Sequence, residues 1–201
     1  MTTEEHIIKA AREVFIRKGF QGTKMQEIAD EAGINKALLH YYFRSKEKLF
    51  EQIFADAFQQ LIPTLSQKLD EITELETFIR FFVPFYTNFI QKNPHLPQFI
   101  IHELSQNPDR IRSLAAAQVF PFPKLSRMIT QAVTEKKIRP IETDSLIVNI
   151  MALIIFPIVA KPMIEGVIFK QNTVAYQNFM AKRSEEVIET ILNSINLQTN
   201  K

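Results

Sequence analysis

The chain has 201 residues, 46% hydrophobic and 23% charged, which excludes a disordered or low-complexity protein and leaves room for one large domain or two small ones. It holds no cysteine, excluding a disulfide framework, a thiolate zinc site and a cysteine nucleophile, and this fits a reducing compartment. The net charge of +2 is too small to argue for nucleic acid alone: residues 1–50 carry nine Lys/Arg against seven Asp/Glu, and residues 51–201 carry fifteen of each.

Periodicity predicts helices nearly throughout, an all-α protein. The amphipathic start "MTTEEHIIKAAREVF" lacks the basic and apolar regions of a secretory signal, so a cytoplasmic location is expected. In this first helix Ile7, Ala11, Val14, Phe15 and Lys18 recur on one face, and Gly19 marks its end. Thr23 opens a second helix, with "TKMQ" read as a capping box closed by Gln26. Met25, Ile28, Ala29 and Ala32 line its inner face, and Gly33 supplies a sharp turn. Asn35 is the expected N-cap of the third helix, "KALLHYYF", and Ser45 of the fourth, "KEKLFEQIFADAFQQLI". Pro63 predicts that this fourth helix kinks or ends near Gln59–Ile62.

Beyond residue 50 no alternating strand pattern occurs. "ELETFIRFFVPFYTNFIQKN" reads as one helix and "PHLPQFIIHELSQNP" as a shorter one between prolines. A segment from about Asp109 to Lys137 follows, broken at "FPFP" (Phe120–Pro123). Helices from about Glu142 and from about Thr173 to Asn196 complete the chain. The apolar run Leu146–Ala160 is shorter than the roughly 20 residues a membrane span needs, and it contains Asn149 and Pro157. A buried helix, or one buried at a subunit interface, is expected instead.

The segment that carries chemistry is Thr23–Glu31 and Asn35–Phe43, two helices joined through Ala-Gly with helix-turn-helix dimensions. At 100° per residue, Leu39 and Phe43 share an inward face about 40° apart, and Ala37 and Tyr41 point away, flanked by Leu38 and His40. An exposed Ala-Leu-Tyr surface is costly unless covered, and a DNA groove can cover it: apolar groups touch thymine methyls and tyrosine hydroxyls reach phosphates. Lys36 is placed to address a guanine edge or a phosphate. Lys46, at the start of the fourth helix, adds a cation to free backbone N–H groups, a phosphate clamp.

Thr23, Ile28-Ala29, Ala32-Gly33-Ile34, Tyr41-Tyr42-Phe43 and Lys46-Glu47-Lys48-Leu49 together resemble the TetR family of transcriptional repressors, over about Ile8 to Phe54. His40, where many members carry Tyr, and Leu38, where small or hydroxylated residues are common, depart from the pattern on the reading face. The resemblance implies an N-terminal three-helix DNA-binding domain (1–47) and a C-terminal helical ligand-binding and dimerisation domain (48–201). It implies phosphate contacts from Thr23, Tyr42 and Lys46, and base or sugar contacts from Gln26, Lys36, Ala37, Leu38, His40 and Tyr41. Lys24 and Asn35 complete the DNA-facing set. It further implies a homodimer on a pseudo-palindromic double-stranded operator, paired through the last two helices. Leu146, Ile150, Leu153, Ile154 and Ile158 offer one apolar stripe, and Phe179, Val187, Ile191 and Ile195 the other.

The resemblance also implies a small-molecule effector among the middle helices; aromatic groups, and polar groups set into greasy helices, place an apolar or aromatic one near Phe82, Tyr86, Phe99, His102, Glu103, Phe120 and Asn149. A DNA-binding regulator without an effector is the alternative. An enzyme is disfavoured: no GxGxxG, P-loop or HExxH occurs, and the adjacent His102 and Glu103 diverge by about 100° on a helix. No cofactor, metal or membrane partner is expected.

Overall fold

The computed structural model describes residues 2–106, 108–116 and 120–196, and no strand occurs among them. In chain order the helices are α1 (Thr3–Gly22), α2 (Met25–Glu31), α3 (Lys36–Tyr42), α4 (Lys46–Glu71), α5 (Leu75–Lys92) and α6 (His95–Gln106). There follow α7 (Pro108–Ala116), α8 (Phe122–Thr134), α9 (Thr143–Val159), the short α10 (Lys161–Met163), a π-helical turn (Ile164–Ile168) and α11 (Thr173–Ile195). The chain forms two compact units, Met1–Ile62 with Asn93–Val119, and Pro63–Lys92 with Phe120–Lys201.

In the first unit the predicted face of α1 is the buried one: Ile7, Ala11, Val14 and Phe15 are all 0% exposed. Thr2 and Glu5 form a reciprocal capping box at its start, with bonds of 2.8 and 3.2 Å. At Gly19 the helix is interrupted by φ 69° and ψ 169°, a combination open almost only to glycine. Phe15, Phe20 and Phe50 then pack as an aromatic cluster with centroids 5.4–5.7 Å apart, which brings the end of α1 onto the start of α4. Along α4, Phe50, Ile53, Phe54, Ala57 and Leu61 are buried as the pattern predicts. The helix does not end at Pro63; it continues to Glu71, so Pro63 does not separate two helices.

The capping of α2 differs from expectation. Lys24, not Thr23, is the N-cap, and its N–H donates to the Glu27 carboxylate at 3.0 Å. The Thr23 hydroxyl donates instead to the Gly19 carbonyl at 2.7 Å, an acceptor left open where α1 is interrupted. Gln26 is thereby freed to bond Asp30 at 2.8 Å. Asn35 and Ser45 cap α3 and α4 as read, accepting from Leu38 N at 2.8 Å and Lys48 N at 3.2 Å.

In the second unit α11 packs against α5 and α9, and α8 against α9. Pro157 lies inside α9 and cannot donate to the carbonyl of Leu153. Arg183 of α11 takes over, donating Nη2 and Nε to that oxygen at 3.0 and 3.2 Å. The Tyr176 hydroxyl donates to the Pro157 carbonyl at 3.1 Å, so α11 repairs α9 at two points.

The stripes expected to meet a second subunit are largely used within one chain. Leu146, Ile150, Ile154, Val187, Ile191 and Ile195 are buried, and Leu153, Ile158 and Phe179 half-buried. The physical reason is that α9 is apolar almost all round, so its periodicity does not single out the inward face. Its outward stripe is Val148, Ala152 and Phe156, with Val148 62% and Phe156 57% exposed. No single described helix is long and apolar enough to cross a membrane; α9 and Lys161–Ile168 reach that length only as a pair bent by 64°.

Candidate nucleic-acid interface

The turn between α2 and α3 is built by short-range bonds. Gly33, at φ 62°, donates to Asp30 O at 3.1 Å, and Ile34 donates to Ala29 O at 3.0 Å. The His6 ring bonds the Ala32 carbonyl at 3.1 Å through Nε2, clipping the first helix to this turn. Two ion pairs, Lys18–Glu27 at 2.6 Å and Arg17–Glu31, tie α1 to α2 along the surface. The Glu27 carboxyl is held below its ordinary range by its hydrogen bond from Lys18 and then by the backbone bond from Lys24.

Against this frame α3 sits as the helical wheel requires. Leu39 is 0% exposed and Phe43 6%, whereas Tyr41 is 81% exposed. Lys36, Ala37, Leu38 and His40 are exposed on the same outer side. Tyr42, 39% exposed, meets the Tyr41 ring edge-on at 5.4 Å and props it outward. The His40 ring places Nδ1 3.3 Å from the Arg44 carbonyl.

Two of the residues assigned to phosphates have work inside the domain. Thr23 is 2% exposed, and its hydroxyl hydrogen is committed to Gly19, leaving none for a phosphate. The Lys46 ammonium donates to the Phe20 carbonyl at 2.8 Å and stands 4.4 Å from the Phe20 ring centroid, locking α4 to the end of α1. Sequence reading missed this anchor and the His6 clip, because each joins positions 26 residues apart.

The expected effector residues do not form one cluster. In the second unit Phe82 and Tyr86 stack at 5.4 Å on α5, with Phe89 beyond at 6.0 Å. Burial pushes the Tyr86 hydroxyl up to about 12, so it stays neutral. Phe120 stacks on Phe122 at 5.4 Å. Asn149 is a correction: it is exposed on α9, because the inward positions there are Leu146 and Ile150. His102 belongs to the first unit, where its Nε2 meets the Gln21 side chain at 2.6 Å. The side chains of Phe99 and Glu103 lie outside the described residues. An open groove of about 650 Å³ between α8 and α9, lined by Phe122, Ser126, Thr130, Ile141, Thr143 and Val148 among others, contains none of the expected effector residues.

Residues 7–53 match the family described as bacterial regulatory proteins, tetR family, a span that takes in α1 to α3 and the start of α4. The chain is 22% identical over 174 residues to the probable HTH-type transcriptional regulator YttP of Bacillus subtilis, covering 85% of this chain and 84% of that one. Its fold is similar to that of HlyIIR, a hemolysin II transcriptional regulator, with a TM-score of 0.66 and 22% identity over 98% of both chains. It is also similar to FadR of Bacillus subtilis in complex with stearoyl-CoA, with a TM-score of 0.67 and 17% identity over 96% of this chain and 99% of that one.

Proposed function

The chain belongs to the TetR family of bacterial regulatory proteins, and from that premise we propose that it is a dimeric transcriptional repressor released from its operator by a small apolar or aromatic effector. The observation that carries the DNA-binding half is the division of α3 between buried Leu39 and exposed Ala37, Leu38, His40 and Tyr41. A soluble helix held so firmly from behind, with an apolar and aromatic front, suits insertion into the major groove. Lys36, exposed at the start of α3, and Lys46, whose ammonium keeps further N–H groups beside its bond to Phe20 O, supply the counterion-releasing contacts that any duplex rewards. The role is recognition, not catalysis.

The effector half rests on the aromatic ladder Phe78, Phe82, Tyr86 and Phe89 of α5 in the second unit, and on the lipid-derived ligand named for the structurally similar FadR. An apolar ligand with a polar end suits a wall of stacked rings carrying one neutral hydroxyl, that of Tyr86. The test is selection from a randomised duplex library followed by titration in rising salt. Enrichment of one inverted repeat, with affinity falling steeply as salt rises, is expected. Uniform binding to all duplexes, or none, would sink the regulator reading. Native mass spectrometry of the protein as purified tests the effector half, with a retained apolar molecule as the expected finding.

A further inference from the structure

We propose that His40 reads an adenine or cytosine in the operator by accepting a hydrogen bond, through Nε2, from the exocyclic amino group of that base. The inference rests on the DNA-binding reading above and narrows it to a base class.

The bond to Arg44 decides the chemistry. A carbonyl oxygen has no hydrogen to give, so the 3.3 Å contact between His40 Nδ1 and the Arg44 oxygen is a hydrogen bond only with the proton on Nδ1. In a neutral imidazole the other nitrogen is then a bare lone pair. That nitrogen, Nε2, has no hydrogen-bond partner among the described residues, and the side chain is exposed. The same bond ties the ring to the turn after α3, so it meets the groove already oriented. Lys36 and Ala37, four and three positions earlier, lie on the same exposed side, so a partner at Nε2 belongs to the surface α3 presents.

Major-groove edges sort cleanly against such a group. Adenine and cytosine offer amino hydrogens there, whereas guanine N7 and O6 and thymine O4 are acceptors that repel a lone pair. Phosphate oxygens are acceptors too, so a neutral His40 in this tautomer has nothing to offer the backbone. This separates it from Lys36, Tyr41 and Tyr42, whose N–H or O–H groups can donate to either.

The experiment uses the full chain and the half-site it enriches from a randomised duplex library at pH 8, where an ordinary histidine is neutral. One position of that half-site is expected to hold only adenine or cytosine. Replacing that base by purine or 2-pyrimidinone, which deletes the amino group alone, should weaken wild-type binding about fivefold, the worth of one such hydrogen bond. His40→Ala should bind both duplexes equally, while its preferences at every other position stay as in the wild type. His40→Ala retaining the amino-group discrimination would overturn the proposal, as would wild-type indifference to amino deletion at every adenine and cytosine of the half-site. A nitrogen-15 spectrum showing the proton on Nε2 would overturn it independently. If no sequence is enriched, the regulator reading fails and this inference with it; enrichment without His40 dependence sinks this inference alone.

Discussion

In the docking proposed above Tyr41 and Lys46 would meet DNA through different physics, and their substitutions should separate it. Tyr41 is 81% exposed and its ring meets that of Tyr42 edge-on, so its removal costs the fold little. Tyr41→Ala is expected to change discrimination among duplex sequences more than the salt dependence. Lys46→Ala should weaken binding to all sequences alike and lower the salt slope by about one unit. It should also lower the melting temperature, since the bond to Phe20 O goes with it. Unchanged slopes and unchanged preference in both variants would refute the docking. Gly19 and Gly33, the two glycines with positive φ, offer a further contrast. Neither has a neighbouring atom within 4 Å of an added Cβ, so any cost is torsional. Gly33 turns at φ 62°, the left-handed region that other residues enter at roughly 1 kcal/mol. Gly19, with ψ at 169°, lies where only glycine is at ease, and Gly19→Ala should cost about 2–3 kcal/mol. Chemical denaturation of the two variants, followed by circular dichroism, checks the order; equal losses would contradict it. Leu39 and Phe43 were legible in the sequence because a seven-residue helix with Leu39 inward and an apolar C-cap, Phe43, has one sensible rotation. The Lys46 anchor was not, since nothing local says that the end of α1 arrives beside the start of α4.

Prolines inside helices show how an element is repaired, or left weak. At Pro157 the orphaned Leu153 carbonyl receives the Arg183 guanidinium, half-buried above the Phe179 ring at 5.4 Å. Arg183→Leu should therefore destabilise by about 1.5–3 kcal/mol, the range for a charged hydrogen bond whose partner is left unsatisfied. Adding Pro157→Ala restores a backbone donor and should recover part of that loss. Independent, additive effects in this double-mutant cycle would show that the repair is not real. Pro63 in α4 leaves the Gln59 carbonyl without its helical donor in the same way, and the division between the two compact units falls between Ile62 and Pro63. Pro63→Ala should stiffen this helix, raising stability while changing effector–DNA coupling more than either affinity, once an effector is in hand. Because coupling is reciprocal, the variant must change effector affinity on DNA by the factor it changes DNA affinity with effector. Full wild-type coupling would show that Pro63 takes no part in linking effector to DNA. The continuity of α4 was not legible, for a proline predicts a lost bond but not whether packing of Phe58, Leu61 and Leu65 on either side holds the helix together.

At the scale of the whole molecule, one chain presents one reading helix, and a single helix-turn-helix reads few base pairs, so specificity calls for two copies on an inverted repeat. The helical class and the amphipathic first helices were plain in the sequence. The pairing surface was not, because α9 offers apolar side chains in every direction and the fold claims Leu146, Ile150 and Ile154 for itself. What remains outward is Val148, Ala152 and Phe156, with Met163, Val167 and Ile168 on the turns that follow, each of these three between 49% and 72% exposed. So many large apolar groups on one stretch are costly in water unless a second surface covers them. Isologous pairing would lay this stripe against its own copy, with no charged residue on α9 after Asp144 to oppose it. Phe156→Asp would place two carboxylates near the symmetry axis, and removal of charge from water there is expensive. Sedimentation velocity at micromolar concentration should find a dimer for the wild type and a monomer for this variant, with unchanged helicity. The monomer should still bind duplex weakly but lose the preference for half-sites about 34–36 Å apart. A dimeric Phe156→Asp protein would move the interface elsewhere, and a monomeric wild type that still selects an inverted repeat would require pairing on the DNA itself.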